Sequence, residues 1–177
     1  TFHILLLLGA AVNCQADNLP EPLTDSDFRP VNEALLEVGR LLFFDKVVSG
    51  NRNISCATCH HPRFGTGDGL SLGIGEGGVG VGPDRTPGQG DSRVKKRIPR
   101  NAQGLWNIGA KAQTILMHDG RIAVGDTYEN EFDTPAEEWL PTGFDDLLAV
   151  QAIFPMVAQF EMTGNLRENE IVGAVHD

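Results

Sequence analysis

Two cysteines and a histidine form the most informative motif of the 177-residue sequence. Cys56, Cys59 and His60 stand in the order C-x-x-C-H, inside the segment NISCATCHHP. Two thiols at this spacing can reach the two vinyl groups on one edge of a porphyrin. The adjacent histidine then lies under the iron and can supply an axial nitrogen. The motif therefore predicts covalently bound haem c, with His60 as the ligand of the haem iron.

Three other kinds of site use neighbouring cysteines, and the sequence favours none of them. A structural zinc site needs a second pair of ligands at matching spacing, and the sequence has none. A thioredoxin-like redox pair needs a βαβ setting, and no such pattern surrounds the motif. A disulfide between the two cysteines would leave His60 without a role. We interpret His61 as an exposed neighbour rather than as a second ligand.

The charge balance narrows the range of partners. The formal net charge is −10, which argues against nucleic acid because phosphate binding needs a basic surface. An acidic chain can instead attract a basic protein. Five basic residues nevertheless lie within residues 93–100. They form either a solvated loop or a contact for haem propionates or an acidic partner.

The N-terminal region predicts export. Residues 2–12 form an apolar run of eleven residues, which is too short to span a bilayer but typical of a secretory signal. Small residues at Cys14 and Ala16 precede a polar segment, so we expect a signal peptide with an incomplete start over residues 1–16. A buried helix, or a lipoprotein acceptor site at Cys14, is the alternative. Export would place the haem domain, residues 17–177, in the oxidising periplasm.

The periodicity of the remaining sequence predicts a mostly α class with long irregular loops. Apolar residues recur at helical spacing over residues 31–44, which predicts an amphipathic helix ending near Asp45. Shorter helices are expected over residues 145–154, where Pro155 would end the helix, and within residues 165–175. No segment shows the alternation that is typical of strands.

A long glycine-rich loop follows the C-x-x-C-H motif. Residues 65–90 contain eleven glycines and little periodicity, and loops of this length are usually functional or mobile. Residues 73–78 match G-x-G-x-x-G, but no strand precedes them and no helix follows, which argues against a nucleotide site. We expect the glycines to let the loop run close to the porphyrin and the loop to move as a lid.

An ordered set of segments resembles the N-terminal haem domain of the bacterial di-haem cytochrome c peroxidase and MauG-like family. The set spans about residues 33–164 and comprises EVGRLLFFDKVVSGNRNISCATCHHP, DGLSLG, RNAQGLWNIGA, HDGR and QAIFPMVAQFEMTG. The resemblance implies a mostly α, cytochrome c-like haem domain that reduces hydrogen peroxide with electrons from a small cytochrome or copper protein. It also implies a second haem c in a C-terminal domain beyond residue 177, so we expect a truncated chain. A homodimeric assembly and a chain without a stable membrane span are both compatible with this resemblance.

The last of these segments carries the residues to which the family assigns peroxide chemistry. Gln151, Pro155, Glu161 and Met162 fit its pattern of a Gln, a Pro four residues later, and a Glu ten residues after the Gln, before a Met. The family places this Glu and Gln on the distal side of the peroxide-reacting haem. A carboxylate in a dry pocket has a raised pKa and can move a proton between the two peroxide oxygens. The resemblance thus implies Glu161 as the acid–base and Gln151 as an orienting amide.

Some positions depart from the family pattern. His118 stands where a Trp often lies between the haems, and Gln103 replaces the Pro of an RNAP element. Because the glycine-rich loop contains no His, the sixth iron position is either open or held by another side chain. His118, Met117 and Met162 are the candidates, although we expect the methionines to pack in the core and His118 to hydrogen-bond within HDGR.

Asn101 and Trp106 also have expected roles, and three other functions stay open. Asn101 corresponds to a family position linked to a calcium ion between domains. Trp106 is most simply a core residue, and guiding electrons is its alternative role. A mono-haem electron carrier, a MauG-like oxidation of a protein or organic substrate, and a non-haem metal-binding module are the alternatives to peroxide reduction.

Overall fold

The computed structural model describes residues 19–174, so the predicted signal peptide and Cys14 lie outside the described residues. Helical residues of all kinds, including the 3₁₀ and π turns, account for 31 % of the structure, whereas the three strands contain only two or three residues each. The helices are α1 (Glu33–Phe44), α2 (Cys56–Cys59), α3 (Leu147–Val157) and α4 (Glu170–Ala174), together with a π-helical turn (Gln159–Thr163). The strands are β1 (Ile115–Leu116), β2 (Ile122–Val124) and β3 (Phe132–Asp133), and short 3₁₀ turns cover Asp25–Asp27, Pro62–Phe64, Gly82–Asp84 and Glu137–Trp139. Helix is therefore the main regular structure, as predicted, and most of the remaining chain is loop.

Helix α1 confirms the element predicted over residues 31–44. The Asn32 side chain caps it by accepting hydrogen bonds from the amides of Ala34 (3.0 Å) and Leu35 (3.1 Å). The helix ends at Phe44, with Asp45 as its C-terminal cap. None of its residues is buried, although the helix packs against α2. Its apolar side chains therefore stay exposed next to the C-x-x-C-H motif. None of the helices in the described part of the chain is both long and apolar enough to cross a membrane.

A three-stranded antiparallel sheet corrects the expectation that no segment forms strands. Strand β2 lies between β1 and β3, with Leu116 opposite Ile122 and Ala123 opposite Asp133. Strands of two or three residues are too short to show alternation in a sequence. The Asp-Gly pair in the turn between β1 and β2 is a hairpin signal, and its glycine takes a φ of +69°. That pair could have indicated the hairpin.

The hydrophobic core lies between this sheet and α3. It consists of six buried side chains, namely Leu116, Ile122, Phe132, Leu140, Leu147 and Val150. Helix α3 corrects the expectation that Pro155 ends the helix, because Pro155 lies inside it. Proline lacks the N–H that would bond to the carbonyl of Gln151, but Ile153 and Phe154 pack against the core. The packing of this face carries the helix on to Val157.

The centre of the glycine-rich loop is packed around a buried arginine. Arg85 is only 5 % exposed, and its guanidinium donates hydrogen bonds of 2.6–2.7 Å to three backbone carbonyls. These carbonyls belong to Ile74, Gly75 and Gly80. The loop is irregular, as predicted, yet this part of it is fixed by internal hydrogen bonds. Its movement as a lid stays a prediction.

Candidate functional site

The C-x-x-C-H motif folds into the single helical turn of α2. The Ser55 amide donates to Thr58 Oγ1 (3.0 Å) at its start, and the His60 amide donates to the Cys56 carbonyl (2.9 Å) at its end. Cys56 and Cys59 are both free thiols. Burial raises the pKa of Cys59 to about 11 and also raises the pKa of Cys56. A redox-active pair needs a lowered thiol pKa, so this pair of neutral thiols fits attachment of a cofactor better than disulfide exchange.

Two backbone carbonyls orient the imidazole of His60. Its Nδ1 lies 3.0 Å from the carbonyl oxygen of Thr66 and 3.0 Å from that of Gln103. When Nδ1–H donates to a carbonyl, the lone pair is on Nε2, which is the tautomer that ligates a metal. The replacement of Pro by Gln at position 103 keeps this contact because the acceptor is a backbone oxygen. The arrangement therefore fits an iron ligand at Nε2.

Thr66 holds these two carbonyls together, a role that the sequence analysis does not identify. Its backbone takes a φ of +61°, a left-handed conformation that β-branched residues rarely adopt. Its hydroxyl donates to the Gly65 carbonyl (2.6 Å) and accepts from the Leu105 amide (2.6 Å). The second bond ties the loop to the segment that contains Gln103. The flanking glycines at positions 65 and 67 are the only hint of an unusual turn there.

Glu161 lies half-buried on the π-helical turn, close enough to His60 for their charges to interact. Burial raises the pKa of the Glu161 carboxyl above its usual 4.5, while the charges of His60 and Arg121 oppose that rise. Arg121 belongs to the HDGR turn and pairs with Asp119 at 2.6 Å. The fold thus brings a carboxyl with a raised pKa to the C-x-x-C-H motif, and such a group can both accept and return a proton.

The π-helical turn is held by three donors from outside it, two of which come from distant segments of the chain. The last carbonyls of a helix have no partner within it and must find donors elsewhere. Here the carbonyls of Glu161, Met162 and Thr163 each accept one hydrogen bond from outside the turn. The donors are the amide of Glu76 (2.9 Å), the amide of Gly50 (2.9 Å) and Nδ2 of Asn169 (2.7 Å).

Two glycines allow this close approach. A Cβ on Gly50 would clash with the carbonyl oxygen of Thr163, and a Cβ on Gly75 would clash with that of Phe160. Glycine is therefore required at both positions if the turn is to keep its place. At Gly75 the glycine-rich loop contacts the turn that carries Glu161. Its predicted approach to the porphyrin stays a prediction.

Gln151 and Asn101, two further predicted site residues, lie in different parts of the fold. Gln151 is half-buried on α3, which packs directly against the π-helical turn. Asn101 is exposed, and its amide lies 3.5 Å from the Ala102 carbonyl. Within residues 19–174, no group of three or more His, Cys, Asp or Glu side chains could hold a metal ion. The calcium role of Asn101 therefore stays a prediction.

The candidates for the sixth iron ligand occupy different environments. His118 is exposed, and its Nε2 lies 2.6 Å from Arg100 Nη2, which corrects the expected hydrogen bond within HDGR. Met162 is 4 % exposed, and Met117 packs against the core. Both methionines therefore fit the expected role in packing.

The exposure of Trp106 and His61 differs from the prediction. Trp106 is 68 % exposed, so its interpretation as a core residue is wrong. His61 is half-buried rather than exposed, and its Nδ1 accepts from the Arg63 amide at 3.1 Å. This local contact gives His61 a structural role next to the motif.

The basic segment packs along the glycine-rich loop. The Ile98 amide donates to the Gly73 carbonyl (3.0 Å), and Arg97 Nη1 donates to the Leu72 carbonyl (2.9 Å). Lys96 Nζ lies 5.3 Å from the centre of the Phe160 ring. The segment is otherwise largely exposed, so both interpretations of its charge stay open.

Comparison with known proteins identifies the family. The sequence model of the di-haem cytochrome c peroxidase family matches residues 33–177. Over 68 residues, or 38 % of the chain, the sequence is 40 % identical to the methylamine utilization protein MauG of Methylorubrum extorquens. Over 66 % of the chain it is 33 % identical to the cytochrome-c peroxidase IdrP2 of Denitromonas iodatirespirans, and over 41 % it is 35 % identical to the cytochrome c551 peroxidase of Pseudomonas aeruginosa.

These matches cover 19 %, 27 % and 24 % of the three relatives, so the chain spans roughly a quarter of their length. No solved structure matches the chain significantly. The family implies haem c, and the two neutral thiols and the oriented His60 fit that cofactor. The matched region includes the C-x-x-C-H motif and the segment that carries Glu161. The chain belongs to the di-haem cytochrome c peroxidase family.

Proposed function

We propose that this chain is the peroxide-reacting haem domain of a di-haem enzyme. The enzyme reduces hydrogen peroxide to water with electrons from a small cytochrome or copper protein. The observation that carries the proposal is the half-buried Glu161, whose pKa is raised, beside the C-x-x-C-H motif. The second haem c, the calcium ion and the periplasmic location belong to the same proposal, supported by the family and by the predicted signal peptide.

Three residues hold the cofactor in this proposal. Cys56 and Cys59 would form thioether bonds to the haem, and His60 Nε2 would ligate its iron. When bound, the haem supplies an iron that binds peroxide and exchanges electrons. Hydrogen bonds from Nδ1 to the carbonyls of Thr66 and Gln103 raise the basicity of the imidazole, which favours the higher oxidation states of the iron.

Glu161 moves the proton that peroxide reduction requires. Its carboxylate accepts a proton from one oxygen of hydrogen peroxide and returns it to the other, which leaves as water. With two electrons from the donor and two further protons, each molecule of peroxide gives two molecules of water. A pKa raised by burial suits both steps, because the group binds the proton readily and releases it again. Gln151 orients the peroxide through its side-chain amide.

A second candidate is oxidation of a protein or organic substrate. The matches to MauG of Methylorubrum extorquens and of Paracoccus denitrificans favour it, at 40 % and 33 % identity. Both candidates use the same acid–base at Glu161. The electron-carrier alternative gives no role to a carboxyl that is half-buried next to the motif.

Replacement of Glu161 tests the proposal. In the haem-loaded full-length enzyme, Glu161→Gln should retain the covalent haem but lose about 100-fold or more in peroxide reduction, because proton transfer contributes that much. Turnover is measured with a reduced small cytochrome or copper protein as donor. Glu170→Gln is the matched control, since Glu170 is exposed and pairs with Arg52 on the surface. If Glu161→Gln turns over peroxide at the rate of the control, the proposed role of Glu161 is wrong.

A further inference from the structure

A buried carboxylate lies at the centre of a cluster of amides. Glu76, in the glycine-rich loop, is only 9 % exposed. Its Oε1 accepts hydrogen bonds from Asn51 Nδ2 (2.9 Å) and Asn53 Nδ2 (2.6 Å). Burial of a carboxylate is costly unless it is hydrogen-bonded, and here two amide donors both bind Oε1. The peroxidase chemistry proposed above gives this group no role.

This carboxylate connects the two halves of the site. Its side chain holds Asn53, which lies three residues before Cys56 in the attachment segment. Its backbone amide donates to the carbonyl of Glu161 at 2.9 Å. One residue is therefore bonded to the segment that attaches the haem and to the segment that carries the acid.

A second chain of contacts ends at the same cluster. Asn51 Oδ1 accepts from Asn169 Nδ2 at 3.1 Å, and the same Nδ2 donates to the carbonyl of Thr163 at 2.7 Å. The cluster therefore donates two hydrogen bonds to the π-helical turn. Glu76 donates to the Glu161 carbonyl, and Asn169 donates to the Thr163 carbonyl. The turn has few other means of satisfying these carbonyls, because its own helix stops at Thr163.

We propose that Glu76 is a positioning residue that sets the place of Glu161 relative to the haem-attachment segment. The proposal rests on the proposed function in one respect, namely that Glu161 is the acid–base. Loss of the Glu76 carboxylate releases Asn51 and Asn53, which lets the loop and the π-helical turn shift away from the attachment segment. A displacement of about 1 Å can cost up to 100-fold in a proton transfer.

Two measurements on the haem-loaded protein test this role. The first is hydrogen–deuterium exchange of peptides that cover residues 159–163. The second is the rate at which cyanide binds to the ferric haem, because hydrogen cyanide must give up its proton to a base when it binds. Glu76→Ala should speed exchange in residues 159–163 about fivefold, the effect of about one lost hydrogen bond, and slow cyanide binding about tenfold.

Matched variants separate positioning from general damage. Glu76→Gln keeps an oxygen that can accept from Asn53, so it should restore cyanide binding to within about twofold of the wild type. Glu170→Ala should change neither measurement, because Glu170 is an exposed partner of Arg52. If Glu76→Ala does not retain haem, Asn51→Ala replaces it. This variant removes one donor to Glu76 and the acceptor of Asn169, and should speed exchange in the same peptides.

The outcomes distinguish failure of this proposal from failure of the proposed function. If exchange in residues 159–163 is the same in Glu76→Ala, or in its replacement Asn51→Ala, as in Glu170→Ala, the positioning role is wrong. The same holds if Glu76→Gln binds cyanide as slowly as Glu76→Ala. If Glu161→Gln binds cyanide as fast as the wild type, the acid–base role of Glu161 fails, while the exchange data still decide the role of Glu76.

Discussion

The haem-attachment turn and the π-helical turn are built in opposite ways. Residues 55–60 close on themselves through bonds such as Ser55 N to Thr58 Oγ1 and His60 N to the Cys56 carbonyl. The π-helical turn, Gln159–Thr163, depends on donors from Gly50, Glu76 and Asn169. The backbone of the attachment turn is thus closed locally, although the His60 ring also contacts the distant Gln103 carbonyl. The backbone that carries the acid–base accepts bonds from Gly50 and Glu76, which are far away in the chain.

This difference predicts which changes affect which half of the site. A substitution inside the attachment turn should act on the haem itself. A substitution in a distant loop should leave the haem attached and act on proton transfer. The backbone of the attachment turn should also tolerate changes in residues 73–90 of the glycine-rich loop, since none of the bonds that close the turn comes from these residues. Their side-chain contact with the attachment segment is the bond from Asn53 to Glu76, before the turn begins.

The largest effect is expected from the two cysteines. The double variant Cys56→Ala, Cys59→Ala should lose the covalent haem completely, because both sulfur atoms that form thioethers are removed. Intact mass under denaturing conditions measures this loss directly. His61→Ala is the matched control, because His61 lies in the same segment and its ring makes only local contacts, with the Arg63 amide and the Phe64 ring. Covalent haem on the double variant would contradict the assignment of the motif.

A smaller, more selective effect is expected at Gly75. A methyl group there would clash with the carbonyl oxygen of Phe160, so Gly75→Ala should displace the turn that carries Glu161. We expect unchanged haem content and a loss of about tenfold or more in peroxide reduction, measured with a reduced electron donor. In the control Gly109→Ala, the added methyl meets only Leu148 Cδ2, at an ordinary 3.8 Å.

An equal loss in both glycine variants would contradict the selective effect. Loss of haem in Gly75→Ala would contradict the separation of the two halves, because it would show that the attachment turn also depends on the loop.

The same contrast explains what could be predicted from the sequence. The attachment site can be predicted because Cys56, Cys59 and His60 lie within five consecutive positions of the sequence. Helix α1 can be predicted because its apolar residues recur at helical spacing over residues 31–44. The sheet is not predicted because its strands span only two or three residues. The end of α3 is predicted too early, because packing of Phe154 against the core outweighs the break expected at Pro155. Glu161 was identified only through the resemblance to a family.

The roles of Thr66 and Glu76 could not be predicted, for a physical reason. Thr66 acts through a backbone carbonyl that accepts from His60 and through a hydroxyl that accepts from the Leu105 amide, 39 residues away in the chain. Glu76 acts through partners that lie 23 and 25 residues away in the chain. A pattern of residue types in one sequence carries no record of either contact.

The smallest expected effect is on stability, and its sign tests the environment of Glu161. Burial raises the pKa of this carboxyl in the folded protein above the 4.5 of the unfolded chain. The folded state therefore binds the proton more tightly, so this group stabilises the fold below pH 4.5. That contribution is lost as the pH rises through the raised pKa. At pH 7 the ionised carboxylate should therefore destabilise the fold, and Glu161→Gln should be more stable than the wild type.

Glu168 supplies a control of opposite sign for this measurement. Hydrogen bonds from the backbone and side chain of Asn165 lower its pKa, so its ionised form stabilises the fold at pH 7. Glu168→Gln should therefore be less stable than the wild type at pH 7 and approach it as the pH falls. Urea unfolding of the haem-loaded proteins at pH 4 and pH 7 measures both differences. If Glu161→Gln is destabilising at pH 7, the ionised carboxylate has favourable partners in the fold, and the dry environment inferred for the acid–base is wrong.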